Sequence, residues 1–110
     1  MIVTCITDDG FIKVGNVGGI DRRLLPAQQV TIHGKQDIKG VICSVPPHLS
    51  SGTQEVLKMT EVSIDAGMKK SELAKIVSHG DCVSFDTSYS QLLGTRMTAP
   101  SLDDRCGVAS

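Results

Sequence analysis

The densest grouping of chemically capable side chains is Asp103-Asp104-Arg105, close to the end of the chain. Two adjacent carboxylates beside a fixed cation can hold a metal ion and have it oriented by neighbouring groups. The same triplet is also an ordinary solvated turn, because exposed acids beside an arginine are common. A hydrolytic metal site needs several protein ligands per ion, and the sequence offers no second cluster to supply them. His33, His48 and His79 stand at spacings that aim no two imidazoles at one ion. Each has a structural reading. His33 ends a strand before a turn glycine, His48 follows two prolines, and His79 precedes a helix-stopping glycine at the negative end of the helix dipole. Neither Gly-x-Ser-x-Gly nor a phosphate-binding Gly-x-x-x-x-Gly-Lys-Ser/Thr occurs. Gly15-Asn16-Val17-Gly18-Gly19 follows a strand but precedes no helix, so those glycines read as backbone bends rather than a phosphate cradle.

The four cysteines, Cys5, Cys43, Cys82 and Cys106, form no Cys-x-x-Cys pair, which signals neither a zinc knuckle nor a redox motif. Three of them lie in strand-like surroundings, where free, reduced core thiols acting as small hydrophobes are expected.

The elements that must position these residues are mostly short strands. Met1 to Thr7 is β-branched and apolar, Asp8-Asp9-Gly10 turns the chain, and Phe11 to Val14 returns, which predicts a hairpin. Gln29 to His33 and Ile38 to Ser44 predict a second, with Gly34-Lys35 opening its turn and Pro46-Pro47-His48 ending it, because proline cannot donate to a ladder. Ser50 to Thr53 reads as a flexible loop. Val62 to Asp65, Val83 to Asp86 and a stretch around Leu92 to Thr95 predict further strands. One helix is expected near Ser71 to His79: Ser71 caps it, Glu72 sits in its first turn, Leu73, Ile76 and Val77 share a face, and Gly80 stops it. Many short strands, frequent glycines and one short helix predict a mainly β fold, a small partly closed β-barrel.

The chain of 110 residues carries 40% apolar and 21% charged residues, enough for one folded core and not for two. Net charge is −1, and only Phe11, Phe85 and Tyr89 are aromatic, which argues against a nucleic-acid partner. No apolar run approaches the roughly 20 residues of a membrane span, and no leader pattern opens the chain, so no membrane partner and a cytoplasmic location are expected.

The order of Gly18-Gly19-Ile20-Asp21, Gln29-Val30-Thr31-Ile32-His33-Gly34, Gly40-Val41-Ile42, Pro46-Pro47-His48-Leu49, Ile64-Asp65-Ala66-Gly67, Gly80-Asp81 and Leu102-Asp103-Asp104-Arg105-Cys106-Gly107 resembles one family from end to end. That family is the tetrahedral aminopeptidases, two-metal metallopeptidases that include glutamyl and deblocking aminopeptidases and FrvX-like and endoglucanase-like members. The resemblance is to the β-rich insertion by which their catalytic domain dimerises and assembles further. It implies a barrel domain over 1–100 and, over 101–110, the start of the return into the metal-binding domain. It also implies that Asp103 is the carboxylate bridging two divalent metal ions, zinc or cobalt, in the intact enzyme, with Asp104 and Arg105 supporting it from behind. The remaining ligands and the general base of such a site are expected before Met1 and beyond Ser110, so no catalytic residue and no bound cofactor is assigned to the isolated chain. Two functions follow as expectations. One is a fragment of a peptide-hydrolysing aminopeptidase that serves homo-oligomer formation and carries one metal ligand. The other is a stand-alone self-association module without catalysis. Exposed barrel edges are the expected means of pairing.

Overall fold

Alternation of apolar and polar residues builds six antiparallel strands: β1 (Ile2–Ile6), β2 (Phe11–Gly15), β3 (Gln29–His33), β4 (Asp37–Cys43), β5 (Ser63–Asp65) and β6 (Cys82–Phe85). The computed structural model describes residues 1–44 and 56–110. The expected features at Pro46, Pro47, His48 and Ser50 to Thr53 lie outside the described residues.

Both predicted hairpins form, and the strands close into a barrel in the order β1-β2-β5-β4-β3-β6. In the first hairpin the Thr7 amide donates to Phe11 O at 2.8 Å, and the Phe11 amide donates to Thr7 Oγ1 at 3.0 Å. The seam between β1 and β6 is held by backbone bonds: Val3 N to Asp81 O, Gly80 N to Val3 O and Val83 N to Met1 O, each at 2.8 Å. A closed barrel leaves β1 to β6 without a free edge, so strand-edge pairing of the barrel with another copy is not available.

The interior is aliphatic. Ile12 on β2, Ile64 on β5 and Ile42 on β4 form one cross-strand row, and Ile38, Ile32 and Val83 form another across β4, β3 and β6. Gly40 faces this interior from β4. A Cβ there would lie 2.6 Å from Ile64 Cγ2 and 3.1 Å from the Asp65 carbonyl, so the absent side chain is what lets Ile64 fill the barrel.

The helix α1 (Lys70–Leu73) starts two residues earlier than a Ser71 cap would place it and is shorter than expected. Its N-cap is Lys69 rather than Ser71, and Glu72 accepts from the Lys69 amide at 3.2 Å. Hydrogen-bonded turns carry the chain on to Val77, whose amide donates to Leu73 O. Leu73 and Val77 are buried, which gives the helix its role as a plug on the core.

After β6 the character changes. The strand expected around Leu92 to Thr95 is instead a turn between two short strands, β7 (Ser90–Gln91) and β8 (Met97–Thr98), which pair only with each other. The tail winds into α2 (Leu102–Ala109), interrupted by non-helical dihedrals at Asp103 and Asp104.

The cysteines correct one expectation. Cys5, Cys82 and Cys106 are exposed and Cys43 is half-buried. In β1 a bulge between Val3 and Cys5 shifts the register, so Val3 points inward while Cys5 turns out. Cys43 donates its thiol to the Ser63 carbonyl at 3.3 Å, and burial pushes its pKa up.

Candidate functional site

Asp103, Asp104 and Arg105 are carried together on the exposed C-terminal segment, at the interruption of α2. Asp104 Oδ1 accepts from the Gly107 amide at 3.0 Å, and, separately, the Arg105 amide donates to the Ser101 carbonyl at 3.2 Å. A Cβ at Gly107 would overlap the Asp104 carboxylate, so the glycine permits this turn. The ion pairs among the described residues, Arg23–Asp21, Lys39–Asp86 and Lys70–Asp8, and the His33–Asp37 contact leave the triplet out.

Among the described residues no group of three or more His, Cys, Asp or Glu side chains could hold a metal ion. Tested against a two-metal centre, the donor set here supplies a carboxylate and not a site, since each ion needs several protein ligands. The segment can present Asp103 to ligands that lie elsewhere, and nothing more.

His33 is not isolated, as its sequence setting suggested. Its Nε2 lies 2.7 Å from Ser84 Oγ and its Nδ1 lies 3.0 Å from Asp37 Oδ1, all on the barrel's outer face. The sequence hid this because the partners stand four and fifty-one positions away and meet only through strand pairing. Beside it, Asp86 accepts from Thr31 Oγ1 at 2.6 Å and from Lys39 Nζ at 2.8 Å. Those two donors hold the Asp86 carboxyl below the ordinary carboxylate range. His79 sits exposed in the turn before β6. Among the described residues no helix is long and apolar enough to cross a membrane.

A closed antiparallel barrel joined to an exposed acid-acid-arginine segment defines the chain as a small β-barrel domain with a polar C-terminal extension. The family model for M42 glutamyl aminopeptidases matches residues 1–110, and the chain belongs to that family. It is 26% identical over 111 residues to a lysyl aminopeptidase of Pyrococcus furiosus, covering 96% of this chain and 32% of that protein. Among solved structures it resembles an aminopeptidase from the archaeon Desulfurococcus kamchatkensis, with a TM-score of 0.86 and 35% identity over 97% of this chain and 30% of the other. It also resembles the TET1 peptidase of Pyrococcus horikoshii, described as assembling into a tetrahedron or a large octahedral shell, with a TM-score of 0.83 and 37% identity over 97% and 33%. The chain thus spans about a third of the length of the relatives it matches.

Proposed function

We propose that this chain is the assembly domain of a cytoplasmic metal-dependent aminopeptidase that removes N-terminal residues from peptides. In that reading residues 1–100 serve self-association and 101–110 begin the return into the catalytic domain. Asp103 would supply one carboxylate to a centre of two divalent ions, zinc or cobalt, which would activate water for attack on the peptide bond. Asp104 and Arg105 would stand behind it. The observation that carries the reading is the family match across all 110 residues, ending in an acid pair that the barrel leaves exposed.

Self-association is supported by the assembly described for one structural relative, the TET1 peptidase, a tetrahedron or a large octahedral shell. With the barrel closed, contact has to use side-chain faces or the β7–β8 edges rather than the edges of β1 to β6. Sedimentation equilibrium tests this directly: a dimer or larger species is expected, and a pure monomer at high micromolar concentration contradicts it. A stand-alone association module is the second reading. Sequencing the gene on both sides separates the two, because only an aminopeptidase reading frame carries a His-x-Asp motif before Met1 and a Glu-Glu pair after Ser110.

A further inference from the structure

The outer face of the barrel holds a cluster that the C-terminal acids do not account for. Ile32, Ile38 and Val83 point into the core, so the alternating neighbours His33, Asp37 and Ser84 point out from β3, β4 and β6. Antiparallel pairing puts His33 opposite Asp37, while Ser84 lies opposite Thr31, one pleat repeat along from His33. The imidazole therefore bridges two strands, 3.0 Å from Asp37 Oδ1 through Nδ1 and 2.7 Å from Ser84 Oγ through Nε2. An ionised carboxylate can only accept, so it selects the tautomer with hydrogen on Nδ1 and leaves the Nε2 lone pair to accept the Ser84 hydroxyl proton. That is the order of roles in a serine nucleophile, its base and the group that orients the base.

A groove of about 510 Å³ runs along the same face, lined by Gln29, Lys39, Gly40, Val41, Asp65 and Asp86. Asp86 is two residues from Ser84 and Lys39 two from Asp37, so the groove begins one pleat repeat, roughly 7 Å, from the cluster. Half-exposed Val41 offers a short apolar seat, and the Lys39 ammonium is held on the groove side by Asp86 and Thr31, each at 2.8 Å.

We propose that Ser84 is a His33-activated nucleophile, oriented through Asp37, that takes acyl groups from small activated esters without any metal. Ser84 Oγ forms a bond to the ester carbonyl carbon as its proton passes to His33 Nε2. The carbonyl carbon to leaving-oxygen bond then breaks, and His33 returns the proton to the departing oxygen. Water next attacks the acyl-serine, its proton moves through His33 to Ser84 Oγ, and the acid leaves. The cluster is open to solvent, so the substrates are esters with stable leaving groups; amides are excluded.

The test uses the 110-residue chain with its exposed thiols blocked and a chelator present, exposed to p-nitrophenyl acetate and, separately, to an alkyl fluorophosphonate. Intact mass and peptide mapping are expected to give one adduct, on Ser84. Ser84→Ala removes it, and His33→Gln slows labelling about 100-fold, the low end of general-base assistance. Asp37→Asn slows it less, because the imidazole loses the carboxylate that fixes its tautomer and orientation. Circular dichroism checks that each variant keeps the barrel, and the position labelled in the unsubstituted chain decides the matter if one does not. Adducts spread over several serines, or a Ser84 labelling rate unchanged in His33→Gln, overturn the proposal.

Discussion

The barrel and the segment that follows it are built on opposite terms. From Val3 to Val83 the described residues contribute thirteen buried apolar side chains, whereas from Ser84 to Ser110 none is buried and only Ala99 is half-buried. Tyr89, Leu92, Leu93, Met97 and Val108 stand largely in solvent, with Leu93 100% exposed. A two-stranded hairpin such as β7–β8 is at best marginal in water by itself. The barrel thus carries its own stability, and the part bearing Asp103 does not.

The largest effect that sharpens this contrast is a cavity. Ile64→Ala removes the centre of the Ile12–Ile64–Ile42 row and is expected to cost about 2–5 kcal/mol in urea unfolding. Leu93→Ala in the hairpin should stay within about 0.5 kcal/mol of zero. Similar losses at both sites would mean that the two regions unfold as one unit. Overpacking comes next. Gly40→Ala forces a Cβ against Ile64 and the Asp65 carbonyl and is expected to cost about 1–3 kcal/mol in the same experiment.

The smallest effect is on acid stability. Asp86 is held below 3.8 first by Lys39 and then by Thr31, partners 47 and 55 positions away that only folding brings near. A carboxyl whose folded pKa is depressed contributes stability that is fully present above its unfolded value and lost as pH falls through the folded one. The loss from Asp86 therefore begins near pH 3.8 and continues below it. Asp21 is lowered to about 2, first by its side-chain bond to Arg23, but that partner is two residues away and available to the unfolded chain as well. Asp86→Asn should accordingly flatten the fall of the urea midpoint below pH 3.8 more than Asp21→Asn does. The reverse order would mean that the Lys39–Asp86 contact does not persist in solution.

Local pairing and a small β-barrel were legible in the sequence, and the strand order that closes the barrel was not. Asp8-Asp9-Gly10 between two β-branched runs announces the first hairpin, and the alternation in Gln29 to His33 announces the second. The insertion of β5 between β2 and β4 and the β1–β6 seam join residues far apart through backbone groups that every sequence shares. Cys5 was misplaced for a related reason: the bulge after Val3 inverts the alternation, and nothing in Val3-Thr4-Cys5 marks it. At the C-terminal segment the residue types Asp103, Asp104 and Arg105 were visible. Only the structure shows Asp104 turned toward the Gly107 amide. The His33–Asp37–Ser84 cluster had no local signal, since it depends on register between three strands.

Asp103 is proposed above as one ligand of a metal centre whose other ligands lie outside this chain. The direct measurement is hydrolysis of aminoacyl anilides by the 110-residue chain with excess zinc or cobalt, with and without Asp103→Ala. The expected result is turnover at the metal-only background in both, while the same substitution in a full-length parent enzyme abolishes activity. Turnover above background by the isolated chain, lost on Asp103→Ala, would contradict the account.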